Sequence, residues 1–277
     1  MKQVKQTNRF EYYNGENETT SFRISASGIS RFFTSTSRWF AENLTDTAEG
    51  FTGNTSSVLG TLVHGHLEAY VKGEAIDPLE VDEYLTMQST TVDDLDVNYI
   101  KYQLPIMVNV AIEYLQDTNL GTAERFIFKD LLPGVCVGGS IDLHTDNVVI
   151  DYKTTSAKAI PKNIAYAHKI QLLTYAKLLR DEGINITSIR IVYVTTDIDG
   201  GISEKTGKPL KSYPSDVQIL EEAILPEDLE MIDNIWNIIA ESVVLFRDKP
   251  ELRHILSQDM RLRSVKCTLQ KLEEEEI

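Results

Sequence analysis

The chain is poor in several residue types, and their scarcity excludes whole classes of protein. Only two cysteines, Cys136 and Cys267, occur among 277 residues. This number excludes a disulfide scaffold, a four-cysteine zinc site and an iron–sulfur cluster held by four thiolates. No segment approaches the roughly 18 consecutive apolar residues of a membrane helix, and the first residues contain no apolar run typical of a signal peptide. We therefore expect a cytoplasmic protein without membrane contact.

Positive charge is also scarce. The sequence has 27 Lys and Arg against 42 Asp and Glu, which gives a formal net charge of −15. Because nucleic-acid phosphates bind basic surfaces, this average argues at first against a nucleic-acid partner. Net charge is an average over the whole surface, however, and one local basic path is compatible with it. The apolar fraction of 42% and the charged fraction of 25% are ordinary for globular proteins and exclude a wholly disordered chain.

Apolar periodicity predicts helices in the first part of the chain, strands in the middle, and alternating helices and strands towards the end. Predicted helices cover about 25–33, 38–44, 58–71, 98–116, 163–182 and 226–246. Predicted strands cover 124–128, 135–143, 147–152, 187–195 and about 213–224. Residues 72–97 contain Pro78 and an acidic run, and we predict an exposed connection there.

This order of elements predicts an α/β (α+β) fold with a central mixed β-sheet flanked by helices. We expect residues 1–20 to be a flexible lead or an edge strand, and residues 21–120 to form a helical N-terminal portion. Residues 121–225 would form the core, and residues 226–277 a C-terminal helix and tail packed on it.

Two carboxylates and an ammonium group are predicted to meet at a hairpin in the middle of the chain. If residues 137–143 and 147–153 are neighbouring strands, Asp142 and Asp151 lie close, and Lys153 shares a strand face with Asp151. Adjacent carboxylates resist joint ionisation, and a divalent cation such as Mg²⁺ or Mn²⁺ removes that cost. The alternative is a turn capped by Asp142 and an edge-strand ion pair between Asp151 and Lys153, which this pattern alone favours.

Two polar pairs at helical spacing accompany these residues. His64 and Glu68 are four residues apart and share a helix face, from which the imidazole would complete a site of nitrogen and oxygen ligands. Gln171 and Tyr175 have the same spacing and would bind a phosphate or brace the lysine. The alternatives are a structural histidine and a helix that packs through its leucines with the polar pair at its margin.

Taken together, four motifs in order resemble the PD-(D/E)XK nuclease superfamily, in its RecB-like branch. They are GxxxHxxxE at 60–68, GxID at 139–142, DYKT at 151–154 and QxxxY at 171–175. The serine-rich segment at 25–33 is similar to the first helix of that branch, which includes nuclease domains of helicase–nuclease complexes and phage recombination exonucleases. The resemblance spans roughly residues 21–195. It implies a restriction-endonuclease-like core whose two acids lie at a splayed pair of strands.

The resemblance also implies roles for individual residues. The metal ligands would be His64, Asp142, Asp151 and the backbone carbonyl of Tyr152, and the catalytic set Asp142, Asp151, Lys153, Gln171 and Tyr175. Glu68 and Glu124 would support the metal site. The residues expected to contact DNA are Thr154, Thr155, Lys158, Lys162 and Lys169. Arg31, Arg38 and the basic tail at 253–271 are further candidates for this surface.

The sequence departs from the branch in one respect. Many RecB-like relatives hold an iron–sulfur cluster through one N-terminal and three C-terminal cysteines, and this chain lacks those cysteines. We therefore expect no cluster, with the N- and C-terminal segments held together by packing instead.

The implied function is hydrolysis of DNA with Mg²⁺ or Mn²⁺, and the resemblance favours an exonuclease of recombination, repair or phage DNA processing. Two alternatives stay open. One is a DNA-binding recombination partner with little cleavage, and the other is a structure-specific or RNA-directed endonuclease. A recombination or helicase partner protein is compatible with the sequence, which leaves the oligomeric state open.

Overall fold

The computed structural model describes residues 12–13, 20–44, 53–116, 121–203, 205–249 and 252. The helices are α1 (Ile29–Thr34), α2 (Thr36–Leu44), α3 (Thr55–Lys72), α4 (Pro78–Gln88), α5 (Val97–Gln116), α6 (Tyr166–Asp181) and α7 (Pro226–Asp248). The strands are β1 (Tyr12–Tyr13), β2 (Thr20–Ser25), β3 (Thr122–Leu132), β4 (Val135–His144), β5 (Val148–Ser156), β6 (Ser188–Thr196) and β7 (Val217–Ala223). None of the helices in these ranges is long and apolar enough to cross a membrane.

The strands form one mixed sheet in the order β1-β2-β4-β5-β6-β7, with β3 paired to β4. Strand β3 runs antiparallel along nearly all of β4, so β2 and β5 share the other edge of β4. On that edge β2 pairs in parallel with residues 135–138, and β5 pairs only at Leu143 and His144. Residues 139–142 therefore face a gap in the sheet, between the end of β2 and the start of the β4–β5 ladder.

Each face of the sheet is covered by helices and has its own apolar core. Side chains of α1, α2, α6 and α7 pack on one face, around the buried Trp39 and Trp236. Side chains of α3, α4 and α5 pack on the other face, against Ile150 and Tyr152 of β5. Successive residues of a strand point to opposite faces, so Asp151 points towards the layer of α6 while its neighbours point towards α3. The predicted fold class, a mixed sheet flanked by helices, is confirmed.

The predicted exposed connection at 72–97 was wrong, because this segment contains α4. Asp77 caps the helix by accepting a hydrogen bond from the backbone N–H of Leu79 at 2.9 Å, and Pro78 occupies the first turn. Both are helix start signals. Leu85 of α4 is buried in the core beneath α3 and α5. The acidic residues obscured this pattern in the sequence.

Strands β3 and β5 are longer than the predicted 124–128 and 147–152, and two further strands also differ from the prediction. Strand β2, within the segment predicted to be helical at 21–120, lies in the sheet beside β4. Strand β7 begins at Val217 rather than near 213. The preceding residues form a hairpin-like excursion after β6, held by bridges between Ile198 and Tyr213 and between Ile202 and Pro209. The predicted tail at 253–277, including Cys267, lies outside the described residues.

Candidate active site

The register of β4 and β5 brings the two predicted acids together. The pairs Leu143–Ile150 and His144–Val149 place Asp142 opposite Asp151, at the point where the two strands separate. The carboxylate of Asp142 enters the opening, where its Oδ2 accepts a hydrogen bond from the backbone N–H of Tyr152 at 3.0 Å. A side chain thus replaces the missing strand-to-strand bond and holds the first acid at the gap.

Asp151 is buried on the face covered by α6, with 3% of its surface exposed. Its Oδ1 accepts a hydrogen bond from Gln171 Nε2 at 3.1 Å. The Lys153 ammonium lies 2.6 Å from Oδ2 as an ion pair, but this oxygen makes no hydrogen bond of acceptable geometry. The second acid therefore keeps a buried oxygen that lacks its full set of donors.

His64 reaches the same place from α3. Its Nδ1 lies 3.3 Å from Asp142 Oδ2, and the ring also hydrogen bonds with the backbone of Tyr152. Gly60, one turn earlier, lets α3 approach β5, because a Cβ there would lie 3.0 Å from Thr154 Oγ1. Burial lowers the pKa of His64, and the charge of Lys153 lowers it further. A neutral imidazole keeps a nitrogen lone pair and is a competent metal ligand.

The electrostatics of the two acids fit a cation between them. Burial raises the pKa of Asp142 to about 8, and the adjacent charge of Asp151 adds to the rise. Within the described ranges, no three His, Cys, Asp or Glu side chains already converge into a complete metal centre. The donor set of an imidazole and two carboxylates, one with an unsatisfied buried oxygen, nevertheless matches the ligands of Mg²⁺ or Mn²⁺.

Gln171 and Tyr175 lie on the face of α6 that meets the gap. They hydrogen bond with each other, so Gln171 connects Tyr175 to Asp151. A Cβ at Gly139 would lie 2.6 Å from the Tyr175 hydroxyl oxygen, so only glycine leaves room for the ring there. Burial and the nearby charge of Asp142 raise the pKa of Tyr175, and the phenol therefore retains its proton.

Gly139→Ala is expected to displace Tyr175 and to lower the rate of any reaction at this site by about tenfold or more, because misplaced catalytic groups lose rate steeply. The change should leave the fold intact, since the methyl group meets a side chain rather than backbone. Gly65→Ala in α3 is the matched control, because the added Cβ would meet only Ile76 Cδ1, at 3.8 Å. Thermal unfolding together with turnover measures both effects, and equal turnover in the two variants would contradict the assignment.

The two predicted supporting acids lie at the edge of this site. Glu124 of β3 adopts a left-handed backbone conformation with φ of 48°, at the position opposite Asp142 in the β3–β4 register. Its Oε2 accepts a hydrogen bond from Ser140 Oγ at 2.5 Å. Burial raises the pKa of Glu124, and the charge of Glu68 contributes. Glu68 itself forms an ion pair with Lys72. Non-glycine residues with positive φ are often found at functional sites, which favours a role for Glu124.

The residues predicted to contact DNA fall into three groups. Lys169 is engaged in ion pairs with Glu222 and Asp228, at 3.0 and 3.4 Å. Lys158 and Lys162 are exposed in the loop that follows β5. Thr154 and Thr155 continue β5 beyond Lys153 and line a cavity next to the site. The DNA contacts of these residues stay a prediction. The exposed ammonium groups of Lys158 and Lys162 are the best candidates for contacts with phosphate.

Sequence reasoning missed His168, which lies on α6 one turn before Gln171. Burial lowers the pKa of its imidazole, and the charge of Lys153 lowers it further while that of Asp151 opposes the change. His168 therefore shares the electrostatic environment of the site. Its spacing of three residues from Gln171 and seven from Tyr175 defines one helix face, and this periodicity was the signal that could have found it.

Comparisons with known proteins give the family and the fold of this chain. The model of the PD-(D/E)XK nuclease superfamily matches residues 23–245. A presumed exonuclease from Eubacterium rectale has a similar fold, with a TM-score of 0.50, 14% identity and coverage of 82% of this chain and 81% of that chain. An alkaline exonuclease from Laribacter hongkongensis, LHK-Exo, has a TM-score of 0.33 and 11% identity, with coverage of 72% and 94% respectively. A search of curated protein sequences finds no match.

The identity to the Eubacterium rectale protein is only 14%, so that likeness supports the fold alone. The family model carries more weight, because it spans most of the chain and includes all four motifs that meet at the gap in the sheet. The chain belongs to the PD-(D/E)XK nuclease superfamily.

Proposed function

We propose that the protein is a deoxyribonuclease that depends on Mg²⁺ or Mn²⁺ and degrades DNA from its ends. The observation that carries the proposal is the convergence of His64, Asp142, Asp151 and Lys153 where β4 and β5 separate. A purely structural ion pair would not need an imidazole and a second, destabilised carboxylate beside it. Membership of a nuclease superfamily favours the same chemistry.

The proposal assigns a different role to each group of site residues. His64, Asp142, Asp151 and the backbone carbonyl of Tyr152 would hold the cation, which polarises the scissile phosphate and makes water more acidic. Lys153 brings a second positive charge into the site, where it binds a phosphate oxygen and stabilises the negative charge that develops. Gln171 holds Asp151 from the α6 side, and Tyr175 holds Gln171.

The preference for DNA ends is supported by the fold shared with the presumed exonuclease and by the exonuclease branch that the motifs resemble. Recombination, repair or phage DNA processing would be the setting, as for that branch. An endonuclease would use the same catalytic residues, so the substrate must decide between the two.

Digestion of matched linear and circular DNA tests the proposal. We expect end-labelled linear DNA to shorten progressively with Mg²⁺ or Mn²⁺, while a covalently closed circle of the same sequence survives and EDTA stops the reaction. Cleavage of the circle would replace the exonuclease with an endonuclease. Tight binding of DNA without any product, with either metal present, would favour a DNA-binding recombination partner.

A further inference from the structure

A cavity of about 590 Å³ opens where β5 ends, beside the candidate active site. It lies between the start of α3, one face of α5 and the segment that follows β6. Its lining includes Thr154, Thr155, Tyr99, Tyr102, Asp197 and Asp199. A volume of a few hundred Å³ with mixed aromatic and polar lining is typical of a small-molecule or nucleotide site.

The cavity begins one residue beyond Lys153 on β5, because Thr154, Thr155 and Ser156 line it. Thr155 lies two positions after Lys153 on β5, so their side chains share a strand face at a separation of about 7 Å. A nucleic-acid strand with a phosphate at Lys153 would therefore place a neighbouring nucleotide at the mouth of the cavity.

Two tyrosines form an aromatic wall that is open to the solvent. Tyr99 and Tyr102 are three residues apart on α5 and share a helix face, with 37% and 55% of their surfaces exposed. The Tyr102 hydroxyl donates to Asp197 Oδ2 at 3.0 Å, which anchors the ring. An exposed but anchored ring is well suited to stack on a ligand, because little side-chain entropy is lost on binding.

The opposite wall is fixed to the same helix by a buried amide. Gln103 donates through Nε2 to the backbone carbonyl of Asp197 and accepts through Oε1 from its backbone N–H, both at 2.8 Å. Gln103 is 2% exposed. The tyrosines and the acids therefore belong to one rigid frame, and the cavity exists without a ligand.

The charges around the cavity indicate how a ligand would be oriented. Inside, the carboxylates of Asp197 and Asp199 repel a phosphate but accept hydrogen bonds from N–H groups. Outside, the ammonium groups of Lys158 and Lys211 lie 5.2 and 4.8 Å from the centre of the Tyr213 ring. Tyr213 pairs with Ile198 of the cavity wall, so this basic cluster lies at the rim.

We propose that the cavity binds a nucleobase of the DNA strand next to the scissile phosphate. The base stacks on Tyr99 and Tyr102, its N–H groups donate to the acids inside, and its phosphate contacts Lys158 and Lys211 at the rim. This inference rests on the proposed nuclease function, and it adds a subsite that holds one unpaired base during cleavage.

Oligonucleotides that each lack one base test the proposal. In a series with a single abasic residue at successive positions from the end, we expect the wild-type protein to lose about tenfold in kcat/KM for the first cleavage at one position only, the size of one lost base–aromatic stack. Tyr102→Ala should cut the intact strand about tenfold more slowly than the wild type. Its kcat/KM should not fall further when the abasic residue is at that position. Tyr102→Phe, which keeps the ring, should retain the positional dependence.

Tyr166→Ala is the matched control, because Tyr166 is an exposed tyrosine that does not line the cavity. It should behave as the wild type throughout the series. A wild-type rate that is the same for every abasic position would overturn the base subsite. So would a Tyr102→Ala variant that is slower than the wild type by the same factor on every substrate, including the strand that is abasic at that position, because the tyrosine would then have only a structural role.

Failure of the proposed function is distinguishable from failure of the subsite. If no DNA is cleaved with Mg²⁺ or Mn²⁺, the nuclease proposal fails, and the same oligonucleotides are compared by their equilibrium dissociation constants in fluorescence anisotropy. A loss of affinity at one abasic position, absent in Tyr102→Ala, would support the subsite. Affinity independent of the abasic position would overturn it.

Discussion

Lys153→Gln is expected to lower the rate of DNA hydrolysis by about 10²–10³, because it removes a positive charge aimed at the developing negative charge of the transition state. Glutamine keeps a donor near Asp151, whose buried carboxylate would otherwise lose its ion-pair partner. Most of the loss should appear in kcat rather than KM, since DNA is held by other contacts as well. Single-turnover digestion of end-labelled DNA measures this effect.

The control for this prediction is Lys101→Gln. Lys101 forms an exposed ion pair with Asp82 at 2.7 Å, on the surface formed by α4 and α5. Exposed pairs contribute about 0–1 kcal/mol to stability, so this variant should fold and cleave normally. Thermal unfolding of both variants separates lost chemistry from lost structure. A folded Lys153→Gln protein with activity within twofold of the wild type would contradict the catalytic role of Lys153.

Phe40→Ala is expected to cost about 3–5 kcal/mol of the free energy of unfolding, the usual loss for a buried phenylalanine. Phe40 is 1% exposed and contacts both Trp39 and Phe246, with ring centroids 5.2 and 4.7 Å apart. Phe246 belongs to α7, so this aromatic contact joins the N-terminal helices to the C-terminal helix. Packing of aromatic rings thus links these two segments.

Phe33→Ala is the matched control for this prediction, because Phe33 has 49% of its surface exposed and lies on the neighbouring helix α1. Its replacement should cost well under half as much. Urea denaturation of the single variants, and of Phe40→Ala combined with Phe246→Ala, measures the contact directly. The coupling between the two rings should be about 0.5–1.5 kcal/mol. A loss below about 1 kcal/mol for Phe40→Ala would mean that the helices are joined elsewhere.

Much of the candidate site was predictable because it depends on local spacing. A separation of four residues places Gln171 and Tyr175 on one helix face, and a separation of two places Asp151 and Lys153 on one strand face. The hairpin between β4 and β5 was visible in the alternation of strands and turn residues. With the hairpin given, the two acids had to be neighbours.

Other features depend on contacts between distant segments and left little trace in the sequence. The helix α4 was missed because its acidic surface concealed the cap at Asp77 and the buried Leu85. The ion pairs of Lys169 with Glu222 of β7 and Asp228 of α7 were not predicted either. Both partners lie more than fifty positions after Lys169 in the chain, so no local sequence pattern predicts them.

The sequence by itself determined the superfamily, the fold class and the spacing of the candidate site residues, because motif spacing and strand and helix periodicity are local properties. Tertiary structure alone decided that β2 and β5 share one edge of β4 and leave a gap beside Gly139, into which Tyr175 fits. It also created the cavity at the end of β5, through the pairing of Gln103 with Asp197 across 94 positions. Both are long-range features, and only the folded sheet brings their parts together.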